Sequence, residues 1–319
     1  MINAASRVAQ TGAGESPTEN GPGAFLYNVQ MLRLAVALLA VSLALWPQDT
    51  RVILLGTGTP NPEPDRMGPS LAVVSRDRVY IVDCGPGVVR RAAQAGIRME
   101  QLTRLFVTHL HSDHTAGYPD LILTPPNDGR KLPLEAWGPP GLRSMTADLL
   151  RAYKVDLDVR LHGGQPHDAA GFQVRAHDVR PGEIYRDDAV RVIAFSVSHG
   201  NFPGAYGYRF EAPDKTIVIS GDTTYSEALI AAAKGCDILV HEVYSQQGLQ
   251  GRTPDWRAYH AASHTSAPDV GRVAAQVKPR KLVLYHLLPM NQTREQVLSE
   301  VRSNYPGETI YGGDLEVIR

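Results

Sequence analysis

The sequence predicts an α/β domain of layered sheets and helices, and three observations carry that expectation. Short β-branched runs alternate with stretches of helical spacing through the second half of the chain, the rhythm of strand–helix units. Strand-like runs end repeatedly in histidine or carboxylate: His109, His199, Asp222, His241 with Glu242, and His286. Such endings line reactive groups along one sheet edge, where α/β folds bind ligands. The 319 residues are 43% hydrophobic and 20% charged, an ordinary globular balance with room for one large domain.

Taken in order, residues 1–30 are rich in Gly, Ala, Ser, Thr, Asn and Pro without periodicity, and are expected to be a disordered or untranslated leader, with Met31 as the alternative start. Residues 31–46 carry a single charge, Arg33, before the apolar run Leu34–Trp46. That run suits the h-region of a secretory signal cleaved near Ala44 better than a bilayer span. Residues 51–319 are expected to form one domain, with no linker to split it. "RVILLG", "SLAVVS" and "RVYIVD" read as a strand meander punctuated by Gly, Pro and Asp, followed by the helix "GVVRRAAQAGI" and the strand "RLFVT". Further strands ("FQVRAHDV", "VRVIAFSVSH") surround a helix near "GLRSMTADLLRAY". Then "TIVISGD", "DILVHE" and "KLVLYH" are each followed by a helical stretch. Cys84 and Cys236, the two cysteines, sit in apolar strand contexts and read as buried thiols, with a disulfide left open.

A formal charge of −1 and the lack of any Lys/Arg run argue against a polyanion or membrane-surface partner. The chemistry concentrates instead in "THLHSDHTAG". His109 and His111 can meet one ion at a strand end, and Asp113 and His114 a second one close by. Imidazole nitrogen and carboxylate oxygen suit zinc, with Zn–N distances of about 2.0–2.1 Å. Each ion needs further ligands, and His199, Asp222 and His286 at other strand ends supply them, Asp222 being able to bridge.

This stretch resembles the T-H-x-H-x-D-H-x-x-G signature of the metallo-β-lactamase superfamily, and the resemblance covers about residues 51–319. It implies a four-layered αβ/βα sandwich, two mixed sheets flanked by helices, with a dinuclear site on one edge. It places His109, His111 and His199 on one metal and Asp113, His114 and His286 on the other, with Asp222 between them. The cofactor implied is two Zn2+, with Mn or Fe able to use the same ligands. "LLGTGTPNPEPDRMGPS", "VDCGPG", "GYRF", "SGDT", "HEVY" and "SHTS" are similar to the ribonuclease Z and arylsulfatase-like branch. In that branch the residue matching Glu242 orients the one matching His264, which protonates the leaving group. Asp113, Glu242 and His264 are thus the expected catalytic residues. His111 departs from the glutamate of flavodiiron members, and Asp222 from the cysteine of the common β-lactamase subclass.

Ribonuclease Z enzymes insert a long tRNA-gripping arm between the residues matching His199 and Asp222, whereas only twenty-two residues separate them here. The expectation is therefore a dinuclear zinc hydrolase of a small-molecule phosphodiester or aryl sulfate, its nucleophile a bridging hydroxide, with no nucleic acid partner. The alternatives are a lactonase or carboxyl-ester hydrolase on the same metals, a ribonuclease Z-like nuclease, or a non-catalytic metal-binding protein. The protein is expected in the periplasm or secreted, without a stable membrane span once processed, or in the cytoplasm if residues 31–46 are no signal. A homodimer stays open. Asp83 is expected to orient the histidine loop, "GTGTP" to bring backbone close to the metals, and Arg66 to lie in an exposed loop or meet an anion. His241 is read as structural, and His162, His167, His177 and His260 as surface residues. Trp137 and Tyr118 belong to a pocket or to the core.

Overall fold

The computed structural model describes residues 50–319. The leader expected at 1–30 and the apolar segment 31–46 lie outside these residues. Among the described residues no helix is long and apolar enough to cross a membrane.

Two seven-stranded sheets face each other. The first is built from β1 (Arg51–Gly56), β2 (Ser70–Ser75), β3 (Arg78–Val82), β4 (Arg104–Phe106), β5 (Leu134–Gly138) and β6 (Val174–Asp178). The second holds β7 (Gly182–Arg186), β8 (Arg191–Val197), β9 (Ala205–Glu211), β10 (Thr216–Ile219), β11 (Ile238–Tyr244), β12 (Lys281–Leu288) and β13 (Thr309–Tyr311). The chain then returns to the first sheet, where β14 (Val317–Ile318) pairs with β1. Each sheet has an antiparallel half and a parallel half, the latter β3 to β6 and β10 to β13. Parallel neighbours need a crossover, and helices supply most of them. On the first sheet these are α1 (Val88–Gln94), the short α2 (Ser112–Thr115), α3 (Tyr118–Leu123), α4 (Leu142–Ala152) and α5 (Lys154–His162). On the second they are α6 (Glu227–Ala233), α7 (Gln246–Leu249), α8 (Pro254–Ser263), α9 (Ala267–Val277) and α10 (Arg294–Arg302).

Side-chain alternation sorts these strands into the expected αβ/βα layers. Val52, Leu54, Leu71, Val73, Tyr80 and Val82 point between the sheets and meet Val192, Tyr208, Ile217, Ile219 and Val240 there. Their neighbours Ile53, Leu55, Ala72, Val74 and Ile81 point outward, under Val88, Leu121 and Leu142 of the helices. On the other side Val218, Leu239, Leu282 and Leu284 pack against Leu229, Val270, Val273 and Val297. Strands buried on both faces must be apolar throughout, which is why these runs read as continuous rather than alternating. Cys84 and Cys236 are both buried and free.

Candidate metal centre

The parallel strands deliver their carboxyl ends to one edge, and the "THLHSDH" loop is anchored there from below. Asp83, in the left-handed region at φ +57° just past β3, accepts hydrogen bonds from the Thr108 amide (2.7 Å), Thr108 Oγ1 (2.9 Å) and His114 Nδ1 (2.8 Å). His111 begins α2, so Asp113 and His114 fall in its first turn, and Thr115 Oγ1 ties back to the His111 carbonyl. Gly221, at φ +61°, lets Asp222 approach this loop: a Cβ there would stand 2.6 Å from the Tyr206 carbonyl oxygen. His286 arrives by a different device. The β11–β12 register slips between Tyr285 and Leu287, leaving His286 as the extra residue of a bulge at φ +45°. Bulges re-aim a side chain in this way beside functional sites. Tyr285 stays between the sheets, and Leu287 turns to the helices.

The seven expected ligands converge as two overlapping sets. His109 Nε2 lies 2.9 Å from His111 Nδ1, which lies 3.1 Å from His199 Nε2. Asp113 Oδ2 stands 3.5 Å from His114 Nε2 and 3.3 Å from His286 Nε2. Asp222 Oδ2 reaches both sets, at 3.9 Å from His109, 4.0 Å from His199, 3.5 Å from His114 and 3.4 Å from His286. Ligands of a tetrahedral ion at about 2.0–2.1 Å are separated by roughly 3.4 Å, and these distances bracket that edge.

Hydrogen bonding elsewhere on the rings tests whether a cation fits. His199 Nδ1 donates to the Ser263 carbonyl at 2.6 Å, His114 Nδ1 to Asp83, and His109 Nδ1 lies 3.0 Å from Thr108 Oγ1. Those donors fix the tautomers, so the converging nitrogens present lone pairs to one another, an arrangement that calls for a cation. His114 Nε2 and Asp222 Oδ1 are also buried without a hydrogen-bond partner. Burial holds the imidazoles of His109, His111 and His199 below their usual range. Burial also opposes charge on His114 and His286, but Asp222, with Asp83 at His114 and Asp113 at His286, outweighs it and raises both. At Asp222 burial is likewise outweighed, by His286 and His114, and the carboxylate stays ionised.

Glu242 and His264 flank this cluster. Along β11 alternate side chains take opposite faces, so Glu242 comes to the site while His241 goes to the helix side. There His241 Nδ1 donates to the Glu242 carbonyl, and burial lowers the ring to about 4. Glu242 Oε1 accepts from the Thr265 amide at 2.7 Å, and Oε2 faces His264 Nδ1 at 3.4 Å. The carboxylate does not raise the His264 imidazole as carboxylate pairing alone would have it; burial dominates and lowers it to about 4. Burial and Asp222 push the Glu242 carboxyl up. His264 ends α8 rather than capping the next helix, a task that Ser266 performs.

A cavity of about 680 Å³ opens over this edge, lined by His111, Asp113, Asp222, His264, His286 and residues of α8. Trp256 and Tyr259 of α8 line it, and neither was singled out from the sequence. His260, read as a surface residue, lines it too, its ring between Trp256 and His264. Tyr118 is fully buried and bonded to Thr146, and Trp137 stacks on Phe106, both away from the cavity. Gly56 and Gly58 admit the Met67–Gly68 backbone rather than the metal site: a Cβ would stand 2.1 Å from the Gly68 carbonyl oxygen at Gly56 and 2.8 Å from the Met67 one at Gly58. Arg66 is tied to Thr57 Oγ1 and the Gly312 carbonyl and lies over Tyr311.

A sandwich of this plan with a His/Asp cluster at its edge defines a metal-dependent hydrolase. Residues 78–287 match the family described as the β-lactamase superfamily domain, and the chain belongs to the metallo-β-lactamase superfamily. Ribonuclease Z of Mycobacterium sp. (strain KMS) is 35% identical over 241 residues, 75% of this chain and 84% of that protein. Among solved structures, the metallo-β-lactamase fold protein YhfI of Bacillus subtilis superposes with a TM-score of 0.65 at 19% identity, covering 85% of this chain and all of that one. The short form of human tRNase Z does so with 0.65 at 21%, covering 84% and 98%. These two likenesses establish the fold, and membership of the superfamily implies binding of divalent metal.

Proposed function

We propose that this protein is a dinuclear zinc hydrolase of small-molecule phosphodiesters. The observation that supports it most is the pair of overlapping ligand sets sharing Asp222, beside a His264–Glu242 pair facing the same cavity. His109, His111 and His199 would hold one ion, Asp113, His114 and His286 the other, and Asp222 both. Neutral nitrogen and carboxylate donors without thiolate or redox partners favour zinc. When bound, two such ions supply a hydroxide nucleophile at neutral pH and neutralise charge on the oxygens of the transferring group.

The protein's own residues then do the rest. Asp222 would be shared by the two ions, and Asp113 would complete the ligand set of one of them. Glu242, held by the Thr265 amide, orients His264, and opposite shifts of the two groups suit them to share one proton rather than carry two charges. With Nδ1 facing Glu242, His264 Nε2 is the nitrogen left to protonate the leaving oxygen while Glu242 resupplies Nδ1. Residues 31–46 would export the protein. The mycobacterial relatives' name keeps a second reading, cleavage of an RNA phosphodiester. Against it, β9 and β10 with their connections consume the interval between His199 and Asp222, where an RNA-gripping arm would stand.

The test is a hydrolysis panel on zinc-loaded protein: bis(4-nitrophenyl) phosphate, 4-nitrophenyl sulfate, an aryl-substituted lactone, a β-lactam and a tRNA with a 3′ extension. Phosphodiester turnover is expected to lead, and His264→Ala to lower kcat on the order of 10²-fold with metal content unchanged. Lactone turnover indifferent to His264 would overturn the reaction class, and tRNA processing would select the second reading.

A further inference from the structure

The space above the metal edge is divided. The larger cavity lies on the side of His264 and His286. A second cavity, of about 510 Å³, lies on the side of His199 and is lined by Phe202, Pro203 and Ala262. Tyr259 and His111 line both, so the Tyr259 ring, 44% exposed on α8, stands between two lobes that meet at the ligand cluster.

The lobes differ in ways that bear on what each accepts. On the His264 side, residues spaced by four along α8 form a ladder of rings. Trp256 stacks on His260 (centroids 5.6 Å apart, 25° between planes), His260 meets His264 at a tilt (5.5 Å, 36°), and His264 stacks on His286 (5.5 Å, 18°). Trp256 keeps 55% of its surface exposed, and Leu287, Leu288, Pro289 and Met290 give the same lobe an apolar wall, with Arg252 also lining it. Trp256 is the most exposed of the aromatic residues among the described exposed hydrophobics, and a large open ring face beside the metal edge offers a flat partner stacking energy. On the His199 side, Phe202 packs edge-on against His109 and His111 at centroid distances of 5.3 and 4.5 Å, leaving a short, uncharged lobe.

Resting on the phosphodiester reading above, we infer that the cleft is built for a two-armed substrate. A planar aromatic leaving arm lies against the open face of Trp256, and the retained arm occupies the Phe202 lobe. The acid fixes which arm leaves: His264 lies in the larger lobe, so the arm next to it receives the proton. Hydrolysis breaks the P–O bond to that arm, water supplies the new P–O bond, the aryl oxygen takes its proton from His264, and the other ester stays on phosphorus. A monoester or an aryl sulfate has one arm and leaves the Phe202 lobe without a ligand.

Three esters with one leaving group test this: bis(4-nitrophenyl) phosphate, methyl 4-nitrophenyl phosphate and 4-nitrophenyl phosphate. The expected kcat/KM falls in that order, at least tenfold between first and last. Trp256→Ala is expected to raise KM for both diesters about tenfold, the loss of one stacking contact, with kcat nearly unchanged. Phe202→Ala should narrow the gap between the bis-aryl and methyl esters, read as the ratio of their kcat/KM in protein of wild-type zinc content. Equal rates for the three esters, or a bis-aryl to methyl ester ratio that Phe202→Ala leaves unchanged, would overturn the inference while the phosphoryl chemistry stands. If none turns over, the reading of the reaction fails, and calorimetric titration of the zinc-loaded protein decides the cleft separately. Diphenyl phosphate binding at least tenfold tighter than methyl phenyl phosphate, with the preference lost in Phe202→Ala, upholds two arms. Equal affinities overturn them.

Discussion

Two aspartates at opposite ends of the sandwich, Asp187 partly buried and Asp222 fully buried, show what distinguishes a site from a clamp. Asp187, in the turn between β7 and β8, stands at the end from which β3 and β8 set out. It is met by Arg78, by the Tyr80 and Tyr185 hydroxyls at 2.8 Å each, and by the Ala189 and Val190 amides at 2.8 and 2.9 Å. Asp222, at the end where the strands finish, has five histidines within 4.0 Å and one oxygen without a hydrogen-bond partner. Protein donors complete the first carboxylate and stitch the two sheets together. The second is left incomplete at a cost in desolvation that only a cation offsets. Negative charge and withdrawal from water, partial at Asp187 and nearly complete at Asp222, are common to both; the further difference lies in whether the protein supplies the donors.

Replacing each carboxylate by its amide gives the sharpest contrast. Asp222→Asn is expected to lower kcat/KM on the order of 10²–10³-fold, the scale of losing a preorganised electrostatic partner, and to lower bound zinc by mass spectrometry. Asp187→Asn should leave both readouts near wild type. Loss of activity in Asp187→Asn with normal zinc content would break the division between clamp and site.

Asp83 tests whether a fully satisfied carboxylate can still serve the metal. Like Asp187 it accepts from an amide and a hydroxyl, yet one of its donors is His114 Nδ1. Asp83→Asn removes the charge that supports the basicity of that ring, and zinc affinity is expected to fall about 10–100-fold. A competition titration with a chromophoric chelator measures it; unchanged affinity would place Asp83 with the clamps.

The sequence discloses the two ends unequally. The strand ends were legible because β-branched runs stop at His109, His199, Asp222 and Glu242, and the separation of His241 from Glu242 follows from strand period alone. The delivery of His286 was less so: its side chain reaches the site through a bulge, and the register of β11 on β12 is set by pairing across the sheet. The α8 wall was missed for a physical reason. Among its residues only Ser263 is buried, so no apolar stripe marks the helix. The spacing of Trp256, His260 and His264 by four was the available signal, with Pro254 at the helix start as its punctuation. Asp187 was not legible at all, since its partner Tyr80 lies 107 residues away.

The clamp should therefore reveal itself in stability rather than in rate. Burial disfavours the charged form of Asp187, but the Val190 amide, the Tyr185 hydroxyl, Arg78 and the Tyr80 hydroxyl outweigh it and hold the carboxyl well below its usual value of 3.8. A carboxyl depressed in the folded state binds fewer protons there than in the unfolded chain. Its stabilisation is then complete above the unfolded value and lost as pH falls below it. The difference in unfolding free energy between wild type and Asp187→Asn, from urea titrations, is expected to be about 2 kcal/mol near neutrality, the scale of hydrogen bonds to a charged group. It should shrink as pH drops from about 4 downward. Metal loss at low pH affects both proteins alike and cancels in the difference. A gap that stays constant through this range would mean that Asp187 joins the sheets through its shape, and that its charge contributes nothing.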